Sequence, residues 1–386
     1  MDVAADLEEM VEYFEDIEDP RRDHPTKHHP LGSIIALSVC AVISGAEGFR
    51  GIYMWAEDRE DWLEENLWLP NGLPSEDTIG RVFGLIDPAQ FGRAFRKWTQ
   101  TLTMVHEEMV AFDGKTLRGS GEEKDDCVHI VNAWAAQNDL VLAQLPVDED
   151  SNEIPTLNRA IRLLDVQNLL VTIDAIGCQT DMASEITTQE GDYLLRVKSN
   201  QGNLYKEIRE FFEWATDPEK PADQGVEYGY AERTDGGHGR VTTRRCWVSE
   251  QLEGLSKVSS WPGIQGIVMV ETERRDGDEI ETQRKYYVTS CAAQTANDAE
   301  YLLGSARRHW GIENKVHWVL DVGFSEDKSR VSTSNAAANL SAVRKMAKNL
   351  LDQESTAKGG VKNKRLKASR NTDYLEKVLQ GTTTLE

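Results

Sequence analysis

Cysteine is scarce in this chain. There are five in 386 residues (Cys40, Cys127, Cys178, Cys246 and Cys291), an odd number with no Cys-x-x-Cys pair. That argues against a disulfide framework or a thiolate zinc site and predicts reduced thiols in the cytoplasm. Long apolar runs are missing too. The longest, Ile34 to Ile43, is broken by Ser38 and bounded by Gly32, Ser33, Ser44 and Gly45. It falls well short of the roughly 20 residues that a membrane span needs. The first twenty residues hold no Lys or Arg, so no basic signal-peptide region precedes that run. A non-membrane globular protein is expected, long enough for two or three structural units and a sizeable core.

Positive charge is also in short supply: 43 Lys and Arg against 66 Asp and Glu, a net −23. Averaged over the chain, this argues against a nucleic-acid binder. The distribution is more informative. The first nineteen residues are purely acidic among their charges, whereas from Arg307 to Arg370 the bases outnumber the acids. A locally basic face on an acidic body still binds DNA, with an affinity that falls steeply as salt rises. An acidic average also fits adaptation to a salty interior.

Residues 1–105 read as helices. Asp87-Pro88-Ala89-Gln90 opens a helix with Phe91, Phe95 and Trp98 on one face, and Pro74-Ser75-Glu76-Asp77 caps another. From Met109 the period changes. Val110–Phe112, Val128–Ala136 and Leu140–Pro146 read as strands of an antiparallel meander. A helix near Thr156–Leu164, a buried strand at Leu169–Ile173, a helix near Asp181–Thr188 and a strand at Tyr193–Val197 follow. This alternation predicts a mixed sheet with helices on its faces. Residues 200–290 interrupt it with two β-hairpins, turning at Asp235-Gly236-Gly237 and at Asp276-Gly277-Asp278. A long helix near Asn297 carries Glu313, another spans Asn335–Asp352, and the Lys/Gly/Asn-rich segment 353–386 reads as a basic, mobile tail.

Three acids stand out. Asp113 ends Met-Val-Ala-Phe, Asp174 ends Leu-Leu-Val-Thr-Ile, and Glu313 lies in the helix Arg-Arg-His-Trp-Gly-Ile-Glu. Carboxylates at strand ends are exposed where a sheet stops and can meet in space. Held together they repel unless divalent cations neutralise them, an arrangement suited to two-metal phosphoryl transfer with magnesium or manganese. Each acid also has a plain alternative: a turn residue before Gly114, a helix N-cap, and a surface helix residue paired with Lys315 or His317. Glu326 and Asp327 are a rival source of the third carboxylate. Lys115 and Arg118 can clamp phosphate oxygens or form a solvated turn. Lys198, Asn200 and Gln201 share an edge with Asp174 if the sheet is parallel there. His309, Glu313 and His317 share one face at α-helical spacing. Without the His-Glu-x-x-His order, however, they read as substrate-positioning groups and not as zinc ligands. Trp310 and Trp318 suit the core or base stacking, Cys178 the core, and His238 a hairpin turn that can touch DNA.

Asp113-Gly-Lys-Thr-Leu-Arg-Gly-Ser120, His129-Ile-Val-Asn-Ala133, Asp174-Ala-Ile-Gly-Cys-Gln179, Lys198-Ser-Asn-Gln201, His309-Trp-Gly-Ile-Glu-Asn314 and His317-Trp-Val-Leu-Asp-Val322 occur in this order and spacing. On these stretches, together with Leu73-Pro-Ser-Glu-Asp-Thr-Ile-Gly-Arg-Val-Phe83, the chain resembles the DDE transposases of ISAs-type bacterial insertion sequences, the H-repeat-associated proteins. The resemblance implies a ribonuclease-H-like α/β catalytic domain over 106–352, with a β-rich insertion at about 200–290. It also implies an all-helical, DNA-binding domain over 1–105. It makes Asp113, Asp174 and Glu313 the catalytic and metal-binding triad for two Mg2+ or Mn2+ ions. Lys115, Arg118, Lys198, Asn200, Gln201 and His309 become DNA contacts, and a homodimer would act on terminal inverted repeats and target DNA. Related groups carry Tyr, Arg and Lys at fixed offsets around the glutamate; here His309 precedes Glu313 by one helical turn and Leu320 follows it by two. A transposase-derived DNA-binding protein that no longer transposes is the alternative.

Overall fold

The structure is a computed structural model that describes residues 3–21, 29–102, 108–121, 126–148, 151–217, 219, 225–237, 240–256 and 258–381. Six helices come first: α1 (Val3–Glu12), α2 (Leu31–Ile43), α3 (Phe49–Glu57), α4 (Glu60–Asn66), α5 (Glu76–Leu85) and α6 (Pro88–Thr101). Then follow β1 (Met109–Thr116), β2 (His129–Ala135), β3 (Leu140–Pro146), α7 (Glu153–Leu163), β4 (Leu170–Ile173), α8 (Thr180–Thr188), β5 (Asp192–Val197) and α9 (Gly202–Ala215). The strands β6 (Gly229–Gly237), β7 (Arg240–Ser249), β8 (Gly266–Asp276) and β9 (Glu279–Thr289) lead to α10 (Ala296–His309), α11 (Trp318–Gly323), α12 (Ser334–Gln353), α13 (Val361–Arg370) and α14 (Thr372–Leu379). A π-helical turn, Ile312–His317, stands between α10 and α11.

The chain divides into two compact units. The first comprises Met1–His106, Gly114–Asp150 and Glu313–Glu386, and the second Glu107–Asp113 and Ser151–Ile312. In the first unit the expected caps form. Ser75 accepts the Thr78 N–H at 3.3 Å, and Asp87 accepts the Ala89 N–H at 3.0 Å with Pro88 in the first turn. The helix α12 is the axis of this unit and packs against α2, α5, α6 and β3. Its Leu340, Val343, Met346, Ala347, Leu350 and Leu351 are buried, each large side chain contributing about 1.5–3 kcal/mol relative to exposure. Packing therefore crosses the sequence boundary near residue 105, because α2, α5 and α6 lie against α12.

The segment 353–386 also departs from expectation. Instead of a mobile tail, its described residues 353–381 form α13 and α14, which pack on α2 and α12 and bury Tyr374, Leu375, Val378 and Leu379. Its basic residues are used internally. Arg365 donates from Nε to the Val42 carbonyl and from Nη2 to the Ala46 carbonyl, each at 2.9 Å.

In the second unit, residues 109–113 of β1 begin a mixed sheet in the order β1-β4-β5-β9-β8-β7-β6. The strands β1, β4 and β5 are parallel, with Phe112 opposite Ile173 and Ile173 opposite Leu195. The next four run antiparallel from β5 outward. They make the two expected hairpins, preceded by α9, which the sequence reading of a β-rich segment missed. The first hairpin's strands run on through Gly237, so its turn, with His238, lies outside the described residues. The helix α10 begins at a Thr295–Asp298 capping box and packs on β6 and β7. Gly229 makes this possible, since a Cβ there would lie 2.1 Å from the Thr295 carbonyl oxygen. Among the described residues no helix is long and apolar enough to cross a membrane.

Candidate active site

Asp113 and Asp174 each follow the last paired residue of two adjacent parallel strands. With neighbouring strands about 4.8 Å apart, register alone sets Asp174, just past the end of β4, beside Asp113. Asp113 lies within β1 and not at its end as expected, since β1 runs on to Thr116. Asp174 is held from both sides: Arg196 Nη1 lies 2.9 Å from Oδ1, and Lys198 Nζ lies 3.1 Å from Oδ2. Burial alone would raise this carboxyl. Arg196, the Ala175 backbone N–H and Lys198 together outweigh it and hold the group below the usual carboxylate range. It is therefore an anion at neutral pH.

The loop after Asp174 is tied down by the next crossover. Asn200 Nδ2 donates to the Ala175 carbonyl at 2.8 Å, and Gln201 Nε2 to the Cys178 carbonyl at 2.5 Å. Both amides thus brace the Asp174 loop. Gly177 allows its tight path, because a Cβ there would meet Ile173 Cγ2 at 2.3 Å. Cys178 is buried and its thiol is pushed up by that burial, as befits a core residue. His309, at the end of α10, places Nδ1 2.9 Å from Thr172 Oγ1. Burial pushes the imidazole down to about 4, more than the Asp174 carboxylate raises it, so the ring is neutral at pH 7.

In the other unit, Glu313 is exposed on the π-helical turn, with Ile312 and Val316 buried beneath it. This differs from the continuous α-helix expected. His317 Nε2 lies 3.2 Å from Asn132 Nδ2. Lys115 is buried, and its ammonium lies 2.6 Å from Asp321 and 3.8 Å from both Glu326 and Asp327. Arg118 is exposed, its Nε 3.6 Å from Asp327. Glu326, the rival third acid, is buried; its Oε1 accepts the Ser341 hydroxyl at 2.7 Å and lies 3.7 Å from Arg344.

Among the described residues no group of three or more His, Cys, Asp or Glu side chains gathers closely enough to form a metal site. The donor chemistry of Asp113 and Asp174 nevertheless fits a hard divalent cation. Magnesium takes oxygen ligands from one or two carboxylates, with substrate phosphate and water completing its shell, and Asp174 is held ionised as a ligand must be. Two partners in this site, Arg196 and Thr172, were missed in the sequence. Their signal was period-2 alternation, which puts Thr172 in phase with Asp174 and Arg196 in phase with Lys198.

Residues 106–350 match the model of the transposase DDE domain, and residues 11–99 match that of the DDE transposase-associated domain. The chain belongs to the DDE transposase family. It is 36% identical to "Putative transposase YncI" of Escherichia coli O157:H7, over 98% of this chain and 96% of that one. It is 34% identical to "H repeat-associated putative transposase YhhI" of E. coli strain K12, over 98% and 99% of the two chains. A solved piggyBac transposase synaptic complex with hairpin DNA is similar at a TM-score of 0.44 and 9% identity, over 100% of this chain and 83% of that one. That likeness is too slight to bear on the fold. Asp113, Asp174 and Glu313 all fall inside the span matched by the DDE transposase model.

Proposed function

We propose that this DDE transposase cuts the terminal inverted repeats of its own insertion sequence and joins the freed 3′ ends to target DNA. Asp113, Asp174 and Glu313 are its catalytic carboxylates, on a ribonuclease-H-like core. The observation that carries this reading is the register of β1 and β4, which sets Asp113 and Asp174 side by side in a chain of this family. Two divalent ions, magnesium or manganese, supply the charge neutralisation and oxygen activation of in-line phosphoryl transfer.

The protein's own part is positioning and charge. Arg196 keeps the Asp174 carboxylate ionised and oriented. Lys198, beside it and half-exposed, is placed to meet a phosphate oxygen. Asn200 and Gln201 keep the loop after Asp174 fixed, and a neutral His309 braces Thr172 without competing for the acid. Lys115 acts inside the fold as a counter-ion to Asp321 and Glu326, while Arg118 remains open to solvent and DNA. Two DNA ends are brought together by a homodimer.

The test uses purified protein, magnesium and a labelled duplex carrying the element's end, beside Asp113→Ala, Asp174→Ala and Glu313→Ala. Wild type is expected to cut at the end and transfer strands, and each variant to bind without cutting. Binding by the wild type without cutting in magnesium or manganese would favour a transposase-derived DNA-binding protein. Strand transfer by any of the three variants would remove that acid from the site.

A further inference from the structure

The outer sheet of the second unit is divided by charge, and the register shows how. Partners across a ladder share a face, as do residues two apart along a strand. Thr172 and Asp174 therefore share a face with Leu194, Arg196 and Lys198. Arg196 opposes Tyr287, which puts Lys285 on that face, and Lys285 opposes Val270, which adds Thr272 and Arg274. Thr272 opposes Arg244, and Arg244 opposes Arg233. The helix α10 lies on the same side, where its Arg307 reaches Asp235 at 3.0 Å and its Glu300 pairs with Arg233.

The two faces are balanced differently. On the opposite face Arg245 has Glu232, Glu271 and Glu273 at 2.7–3.1 Å, Arg284 has Glu271 at 2.8 Å, and Arg275 has Glu273 at 3.4 Å. Those guanidiniums are neutralised. On the Asp174 face Arg240 pairs with Asp276 at 2.6 Å, but Arg244 and Arg307 share the single carboxylate of Asp235, and the Glu281 carboxylate lies 3.9 Å from Arg274. Burial, then the nearby Arg307 and later Arg274, draw the Arg244 guanidinium below its ordinary value even against Asp235, a mark of crowded like charge. Arg274 and Arg307 are 63% and 50% exposed, open to a polyanion.

We propose that this face is a track for the DNA phosphate backbone, running from Lys198 beside Asp174, past Lys285, to Arg244, Arg274 and Arg307. The inference rests on the reading of the protein as a DNA-cutting enzyme and gives the course of the DNA away from the cut. From β5 to β7 is three strand spacings, about 14 Å. At 3.4 Å of rise per nucleotide along one strand, that spans about four phosphates.

The test is fluorescence anisotropy of the full chain with a short labelled duplex of mixed sequence, in EDTA, over about 50–200 mM salt. Relative to wild type, Arg274→Gln with Arg307→Gln is expected to weaken binding and lower the slope of log affinity against log salt by about 2, near 0.9 per lost phosphate contact. Arg275→Gln, one residue along β8 on the neutralised face, is expected to leave the slope unchanged. An unaltered slope in the double variant, an equal loss in Arg275→Gln, or no binding by the wild type in EDTA would overturn the track. End cutting in magnesium is scored separately. Cutting that survives with an unaltered slope sinks the track alone, whereas loss of the slope without any cutting by the wild type sinks the catalytic reading alone.

Discussion

His309 gives the most quantitative test of the site's geometry. In the folded protein its imidazole is pushed down to about 4 by burial against Thr172, from an ordinary 6.5. Between those two values the unfolded chain binds a proton that the native protein refuses, so stability rises with pH across that window and is lost as pH falls through it. At pH 5 the unfolded histidine is almost fully charged and the native one almost fully neutral. The resulting penalty is about 2 kcal/mol relative to pH 7, and it approaches about 3 kcal/mol near pH 4. Burial sets the sign; among the neighbouring charges Asp174 favours the imidazolium, while Arg196 and Lys285 oppose it. Urea unfolding of wild type and His309→Gln at pH 7 and pH 5 isolates this group, because the other seven histidines titrate in both proteins. Wild type should lose about 2 kcal/mol more than the variant between the two pH values. Equal losses would mean that the ring is solvated or already charged, and the account of a neutral brace behind Asp174 would fail.

Two further predictions concern stability. Lys115→Met should cost about 3 kcal/mol in urea unfolding, because it leaves the buried Glu326 and the half-buried Asp321 without their shared cation. A loss below about 1 kcal/mol would indicate that Lys115 faces solvent or DNA instead. Gly229→Ala should cost about 1–3 kcal/mol, since its methyl group would meet the Thr295 carbonyl and push the start of α10 off β6. Gly236→Ala, farther along the same strand with open space around it, should be near neutral, and equal effects at the two sites would argue against close packing of α10 there.

The Asp174 edge of the candidate site was legible in the sequence because the end of β4 announces itself. Leu-Leu-Val-Thr-Ile before Asp174 is too short and too β-branched for a helix, and the strand, its end and its acid all fall where the pattern puts them. Lys198 meets Asp174 because β4 and β5 are parallel, the condition attached to it from the start. The π-helical turn was not legible. Ile312, Val316 and Leu320 recur every four residues, which is also the signature of an ordinary amphipathic helix, and one wider turn leaves no mark in that period. The segment 353–386 was misread for a different reason. Its Lys- and Gly-rich composition suggests a solvated tail, but Lys364 and Arg365 are buried and bonded to carbonyls, including those of Leu351 at the end of α12 and of Val42 near the end of α2. Cations at the carbonyl ends of helices are stabilised there, and hydropathy scales count them only as polar.

The same limitation explains why a chain of net charge −23 misleads as an average. Charge here is partitioned by sheet face and not by sequence segment. On β8, Arg274 and Arg275 are neighbours in sequence, yet the pleat sends one to the crowded cationic face and the other to a face where carboxylates match every guanidinium. No window along the chain separates them, because the period of alternation is two. Most of these strands hold nearly equal numbers of acids and bases, so the crowding beside Asp174 appears only once the register is known. If DNA follows the proposed track, the salt dependence of binding becomes a property of a few arginines and not of the whole surface.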